Sequence, residues 1–144
     1  MMRFDRFTDR AQEAAQKAAE IIQRYGHNQI DTEHILLALI EQQDSVVGQL
    51  LEVMSVDEAA LQDRLDQILR ESPKANIYGG GIGPVFITPR VKRIVEIANQ
   101  EANNLDDEYI STEHLLLAIV EEKDSPSSRL LKENGVTKDR VLDA

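Results

Sequence analysis

Shifted by 80 residues, the chain matches itself. Residues 8–60 lie over residues 88–140 without a gap, and 16 of those 53 positions are identical. The densest block sets Ile30-Asp31-Thr32-Glu33-His34-Ile35-Leu36-Leu37-Ala38 over Ile110-Ser111-Thr112-Glu113-His114-Leu115-Leu116-Leu117-Ala118. Further on, Glu41, Asp44, Ser45, Leu50 and Leu51 recur as Glu121, Asp124, Ser125, Leu130 and Leu131. A duplication of this length builds one supersecondary unit twice, and stacked copies can share a core that neither completes alone. We expect one domain over residues 1–144: repeat one at 8–71, a linker at 72–87 and repeat two at 88–144.

Each copy reads as four helices, which makes the expected fold all-α, with two tandem four-helix repeats related by a pseudo-twofold. Ala11, Ala14, Ala15, Ala18, Ile22 and Tyr25 fall on one face of the first helix, and Val91, Ile94, Val95, Ala98, Ala102 and Leu105 repeat those offsets. The second helix, from Thr32 and again from Thr112, is apolar all round, so it belongs at the buried centre of its copy. The third carries Val46, Val47, Leu50, Leu51 and Met54, and the fourth Leu61, Leu65, Ile68 and Leu69. In repeat two the fourth helix is cut short at Ala144, as at the boundary of a longer protein. Pro89 suits a first helical position, which makes Thr88 the N-cap, and Thr8 follows by the repeat. Pro126 places a cap at Ser125, hence at Ser45, and Gly135 suits a C-terminal stop. Between the copies, glycines and prolines exclude helix, while Ile77, Tyr78, Val85 and Phe86 are expected to pack part of the linker onto the repeats.

Charge and composition remove several function classes. The net charge is −10, and residues 1–72 hold 7 Lys/Arg against 14 Asp/Glu, the rest 9 against 12. Neither half carries the basic stripe that nucleic acid or an anionic membrane requires. The absence of cysteine excludes disulfides, thiolate catalysis and cysteine metal sites. The longest apolar run, residues 35–40, is far too short to span a bilayer. We expect a soluble protein of a reducing compartment, monomeric as an isolated domain.

Candidate chemistry is sparse. Residues 79–83 are glycine-rich but are not followed by Lys-Ser/Thr, so they form no phosphate-binding P-loop. Glu33-His34 and Glu113-His114 look like half of a zinc-hydrolase motif, yet Ala38 and Ala118 stand where the second histidine belongs. His27 has Asp107 as its counterpart, and His34 and His114 read as hydrogen-bonding residues between helices. Asp106-Asp107-Glu108 lacks the glycine and spacing of a calcium loop. No cofactor or metal is expected in the domain, and no active site. One constellation remains: Thr8 and Glu33 recur as Thr88 and Glu113, each at or near a helix start. A threonine-capped N-terminus suits an anion, and a glutamate suits a guanidinium. If Thr8 lies with Glu33, and Thr88 with Glu113, two equivalent pockets arise. The simpler reading is that the threonines cap and the glutamates favour the helix dipole.

Phe7-Thr8-x-Arg10-Ala11 followed by Gly26-His27-Asn28-x-Ile30-x-Thr32-Glu33-His34-Ile35-Leu36-Leu37 resembles the N-terminal domain of Clp-type AAA+ unfoldases. Thr88-Pro89-Arg90 and Ile110-Ser111-Thr112-Glu113-His114-Leu115-Leu116-Leu117 resemble its second repeat. The Thr-Pro-Arg opening is similar to ClpC, with the disaggregase ClpB as the second choice. Asp106-Asp107-Glu108-Tyr109 departs from the Leu-Gly-His-type turn usual in ClpC. The resemblance implies a cytoplasmic domain above a hexameric ATPase ring with an associated peptidase, receiving protein substrates and adaptor proteins. ATP and magnesium would belong to the parent's ATPase modules. In ClpC-like members the Thr and Glu of each repeat hold phosphoarginine, which implies Thr8, Glu33, Thr88 and Glu113 here. A free-standing adaptor without an ATPase is the rival from another class.

Overall fold

The computed structural model describes residues 6–72, 86–123 and 125–143. Repeat one contributes α1 (Asp9–Arg24), β1 (Gln29–Ile30), α2 (Thr32–Glu41), α3 (Val46–Val53) and α4 (Glu58–Glu71). After β2 (Phe86–Ile87) follow α5 (Pro89–Asn104), α6 (Thr112–Glu121), α7 (Pro126–Glu133) and α8 (Lys138–Asp143). The first three helices of the two copies begin and end at the same 80-residue offset, so the duplication seen in the residues is one of structure.

Hydrogen bonds set where each helix starts. Thr8 and Thr88 accept from the amides of Ala11 and Val91 at 3.1 and 3.3 Å. Ser45 and Ser125 accept from the amides of Gly48 and Ser128 at 2.9 and 3.1 Å. These are the four caps expected, each satisfying an amide that the first turn leaves without a partner. The central helices are buried as their composition requires: every residue from Thr32 through Ile40 is buried, and Leu116 and Leu117 are as enclosed as Leu36 and Leu37.

The copies are joined by an exchange of backbone that the all-helical reading did not include. β1 and β2 pair in parallel, with Gln29 opposite Phe86 and Ile30 opposite Ile87. Phe7 bridges Ile110 in the same sense. Ile87 is the repeat equivalent of Phe7, and Ile110 that of Ile30. The two pairings are therefore one contact made reciprocally, as a pseudo-twofold demands. Phe86 is half-exposed and joins the repeats through its backbone, donating its amide to the Asn28 carbonyl at 2.9 Å. Ile77, Tyr78 and Val85 lie outside the described residues.

Some side chains depart from their expected places. Val46 and Leu105 are exposed, and Ile21, at the edge of the expected face beside Ala14 though not named with it, is fully buried. Leu105 corresponds to Tyr25, whose hydroxyl reaches Asp66 on α4 at 2.5 Å. Ile21 corresponds to Glu101, which is also buried and is held by Lys138 of α8 at 3.1 Å.

Candidate functional site

The backbone exchange decides which candidate residues meet. Gln42 Nε2 donates to the carbonyl of Arg10 at 2.9 Å, which sets the start of α1 beside the end of α2. Glu33 lies at the other end of that ten-residue helix, about 15 Å along its axis. Thr8 instead donates its amide to the Ile110 carbonyl at 2.9 Å, next to the α6 turn that carries Glu113. Thr88 donates its amide to Ile30 at 3.1 Å, next to the α2 turn that carries Glu33. Thr8 thus goes with Glu113, and Thr88 with Glu33. The pairing within each copy that the sequence suggested is corrected to one across copies, because the parallel bridges swap the threonine-bearing strands.

At the Thr88 end, Asp31 caps α2 and accepts the Thr32 amide at 2.8 Å. Its same oxygen accepts from the Thr88 hydroxyl at 3.1 Å, while the other is paired with Arg90. Burial works against the Arg90 charge, but the Asp31 bond and attraction to Asp31, Glu33 and Glu122 outweigh it and hold the guanidinium pKa above its ordinary value. Glu33 is only 5% exposed and accepts from Ser127 Oγ at 2.8 Å and from the Thr32 hydroxyl. Asp31, Glu33, Arg90 and the two histidines of repeat one line a cleft of about 460 Å³.

The Thr8 end uses different residues. Ser111 stands where Asp31 does, and Val47 where Ser127 does. Glu113 is half-buried and accepts from Thr112 Oγ1 at 3.1 Å. Arg10 turns away to Glu13 at 2.8 Å and to the Gln43 carbonyl at 2.5 Å.

The histidines hold turns together, but not the helix pairs that the sequence suggested. His34 Nδ1 accepts the Asp31 amide at 2.9 Å and His114 Nδ1 the Ser111 amide at 2.8 Å, closing a capping box in each copy. An acceptor Nδ1 leaves the proton on Nε2. That Nε2 faces His27 Nδ1 at 2.9 Å in repeat one and Asp107 Oδ2 at 2.9 Å in repeat two. Burial, and then His27, push the His34 pKa down to about 4. No group of three or more metal-ligating side chains occurs among the described residues.

A second cavity, which periodicity did not reveal, is an apolar groove of about 360 Å³. Its lining includes Phe7, Ala15 and Ile35 together with their equivalents Ile87, Val95 and Leu115. It therefore lies on the pseudo-twofold, between α1 and α5. The sequence signal was Ala15 and Val95, which extend the apolar faces of their helices beyond what the core fills.

The chain is similar to known proteins in sequence and in fold. The Clp repeat (R) N-terminal domain model matches residues 6–134. The chaperone protein ClpB of Bacillus cereus is 33% identical over 141 residues, which cover 98% of this chain and 16% of that protein. The negative regulator of genetic competence ClpC/MecB of Bacillus subtilis is 32% identical over 136 residues, 94% of this chain and 16% of its own length. The chain thus spans about a sixth of these curated relatives. Among solved structures, the Hsp104 N-terminal domain from Candida albicans superposes with a TM-score of 0.76 at 22% identity, covering 95% of this chain and 87% of that one. The N-terminal domain of ClpD from Arabidopsis thaliana does so with a TM-score of 0.71 at 22% identity, covering 99% and 96%. These two show the fold. With the duplicated Thr-Glu-His helix start, the reciprocal bridges and a family match over most of the sequence, the chain belongs to the Clp repeat N-terminal domain family.

Proposed function

We propose that this domain recruits protein substrates and adaptor proteins to a Clp-family ATPase, and that it recognises phosphorylated arginine on them. The reading places the chain, with its repeats at 8–71 and 88–144, at the head of a cytoplasmic hexameric unfoldase with an associated peptidase. The nucleotide chemistry belongs to the parent's ATPase modules, and the domain itself binds without catalysing. The observation that carries the reading is the juxtaposition, across the copies, of a threonine-capped helix start with a helix turn bearing a glutamate. Phosphoarginine presents an anion and a guanidinium joined by one bond. The phosphate suits the free amides and dipole of the capped start, and the guanidinium suits the carboxylate. Thr8 with Glu113, and Thr88 with Glu33, are the residues assigned. Apolar segments of a substrate or adaptor would lie in the groove between α1 and α5.

The test is retention of an unfolded protein before and after enzymatic arginine phosphorylation. Retention only of the phosphorylated form supports the reading, and equal retention of both removes the phosphoarginine part of it. A ClpB-type parent is the second reading, favoured by the ClpB relative at 33% identity.

A further inference from the structure

The two capped helix starts differ in the residue that the other repeat sets against them, Asp31 at α5 and Ser111 at α1. Asp31 is contributed by repeat one and lies against the start of α5 in repeat two. It accepts from Thr88 Oγ1 at 3.1 Å and pairs with Arg90, the two side chains of that start able to donate to an anion. A carboxylate with one oxygen on the capping threonine and the other on the neighbouring guanidinium engages both of the side-chain donors that an incoming phosphate would use. Its place in the other copy is held by Ser111, which is neutral and accepts the His114 amide of its own helix at 3.3 Å. Arg10, the equivalent of Arg90, is drawn to surface partners, the Glu13 carboxylate and the carbonyls of Gln43 and Asp44. Releasing it costs little, because its side chain is 42% exposed and such pairs are weak. The glutamates follow the same division: Glu33 is enclosed and bonded to Ser127, while Glu113, in the copy where Val47 replaces that serine, is more open.

We infer that Asp31 is a built-in anion that closes the α5 seat, so that the chain offers one open phosphoarginine site, at Thr8 and Glu113, and one closed from within. This rests on the phosphoarginine reading for the identity of the ligand, but not for the closure itself. Asp31 is then a specificity-determining residue: an external anion reaches Thr88 and Arg90 only by displacing a tethered carboxylate.

Amide spectra of the domain, titrated separately with phosphoarginine and with inorganic phosphate, test it. In the wild type, phosphoarginine should move the Arg10 and Ala11 amides saturably and leave those of Arg90 and Val91 in place. Asp31→Ser, which keeps a capping oxygen as Ser111 does, should add saturable shifts at Arg90 and Val91. Binding there should tighten by at least roughly tenfold over wild type, the scale of one charge-assisted bond. Asp31→Asn keeps the shape without the charge and should act in the same direction. Equal responses at both starts in the wild type overturn the inference and leave the phosphoarginine reading standing. So does silence at α5 in both variants while α1 responds. If phosphate moves the α5 amides in Asp31→Ser and phosphoarginine moves nothing, the closure stands and the phosphoarginine reading falls. Silence of both starts toward both ligands overturns both.

Discussion

His34 and His114 occupy the same place in the two copies, yet only one of them has a carboxylate to meet. His114 faces Asp107, whereas His34 faces His27, whose ring stacks on Tyr25 at 6.0 Å between centroids. Protonating His34 would put a second N–H against the Asp31 amide and a cation beside a buried imidazole. Its folded pKa of about 4 lies below the unfolded value of roughly 6.5, so the unfolded chain takes up the proton first. Stability from this group is therefore full above about pH 6.5 and falls progressively towards pH 4, by about 3 kcal/mol in total. Urea titrations at pH 7 and pH 4.5 should show that His34→Gln, which retains a capping-box side chain, loses less between the two than wild type does. An equal loss would mean that other groups carry the pH dependence. The left-handed residues form a second set. Gly26 and Asp106 close α1 and α5 at φ 73° and 58°, and Ser55 and Gly135 close α3 and α7 at 60° and 80°. Each pair places a glycine in only one copy. Replacing Asp106 or Ser55 by glycine should therefore raise stability by about 0.5–1 kcal/mol, read as a higher urea midpoint.

Among the helices, caps and buried centres were legible in the sequence because local chemistry decides them. Thr88-Pro89 and Ser125-Pro126 have one good use, and an all-apolar helix such as α2 has one stable place. Leu36→Ala should cost about 2–5 kcal/mol in chemical denaturation, the range for a fully enclosed leucine. The exchange of β1 and β2 was not legible, since two-residue strands leave no alternating pattern to read. It was that exchange which decided the partners of Thr8 and Thr88, so the residues of the candidate site could be named from sequence but their pairing could not. Ser127 was missed for a related reason: it lies 94 residues from Glu33, and its repeat equivalent is an ordinary core valine. Ser127→Val should leave the enclosed Glu33 carboxylate short of a donor and destabilise the domain by about 1–3 kcal/mol in urea titration.

At the scale of the molecule, the reciprocal bridges tie both copies into one core. They also put one candidate seat on each side of the pseudo-twofold, with the apolar groove between. Duplication made this architecture readable at once. The departures from equivalence came from single substitutions between the copies, Asp31 for Ser111 and Ser127 for Val47, whose effect depends on what lies across the interface. The account rests on a phosphate and a guanidinium being recognised together, and calorimetry with free phosphoarginine tests that most directly. Wild type should bind phosphoarginine far better than inorganic phosphate, which cannot engage Glu113 and meets a chain of net charge −10. Glu113→Ala should lower that affinity by roughly ten- to hundredfold, the worth of a charge-assisted bond of about 1.5–3 kcal/mol. Glu33→Ala should leave that affinity unchanged, because Asp31 closes the seat to which Glu33 belongs. Equal affinity for phosphate and phosphoarginine, or binding indifferent to Glu113, would contradict the account and leave the threonines as caps alone.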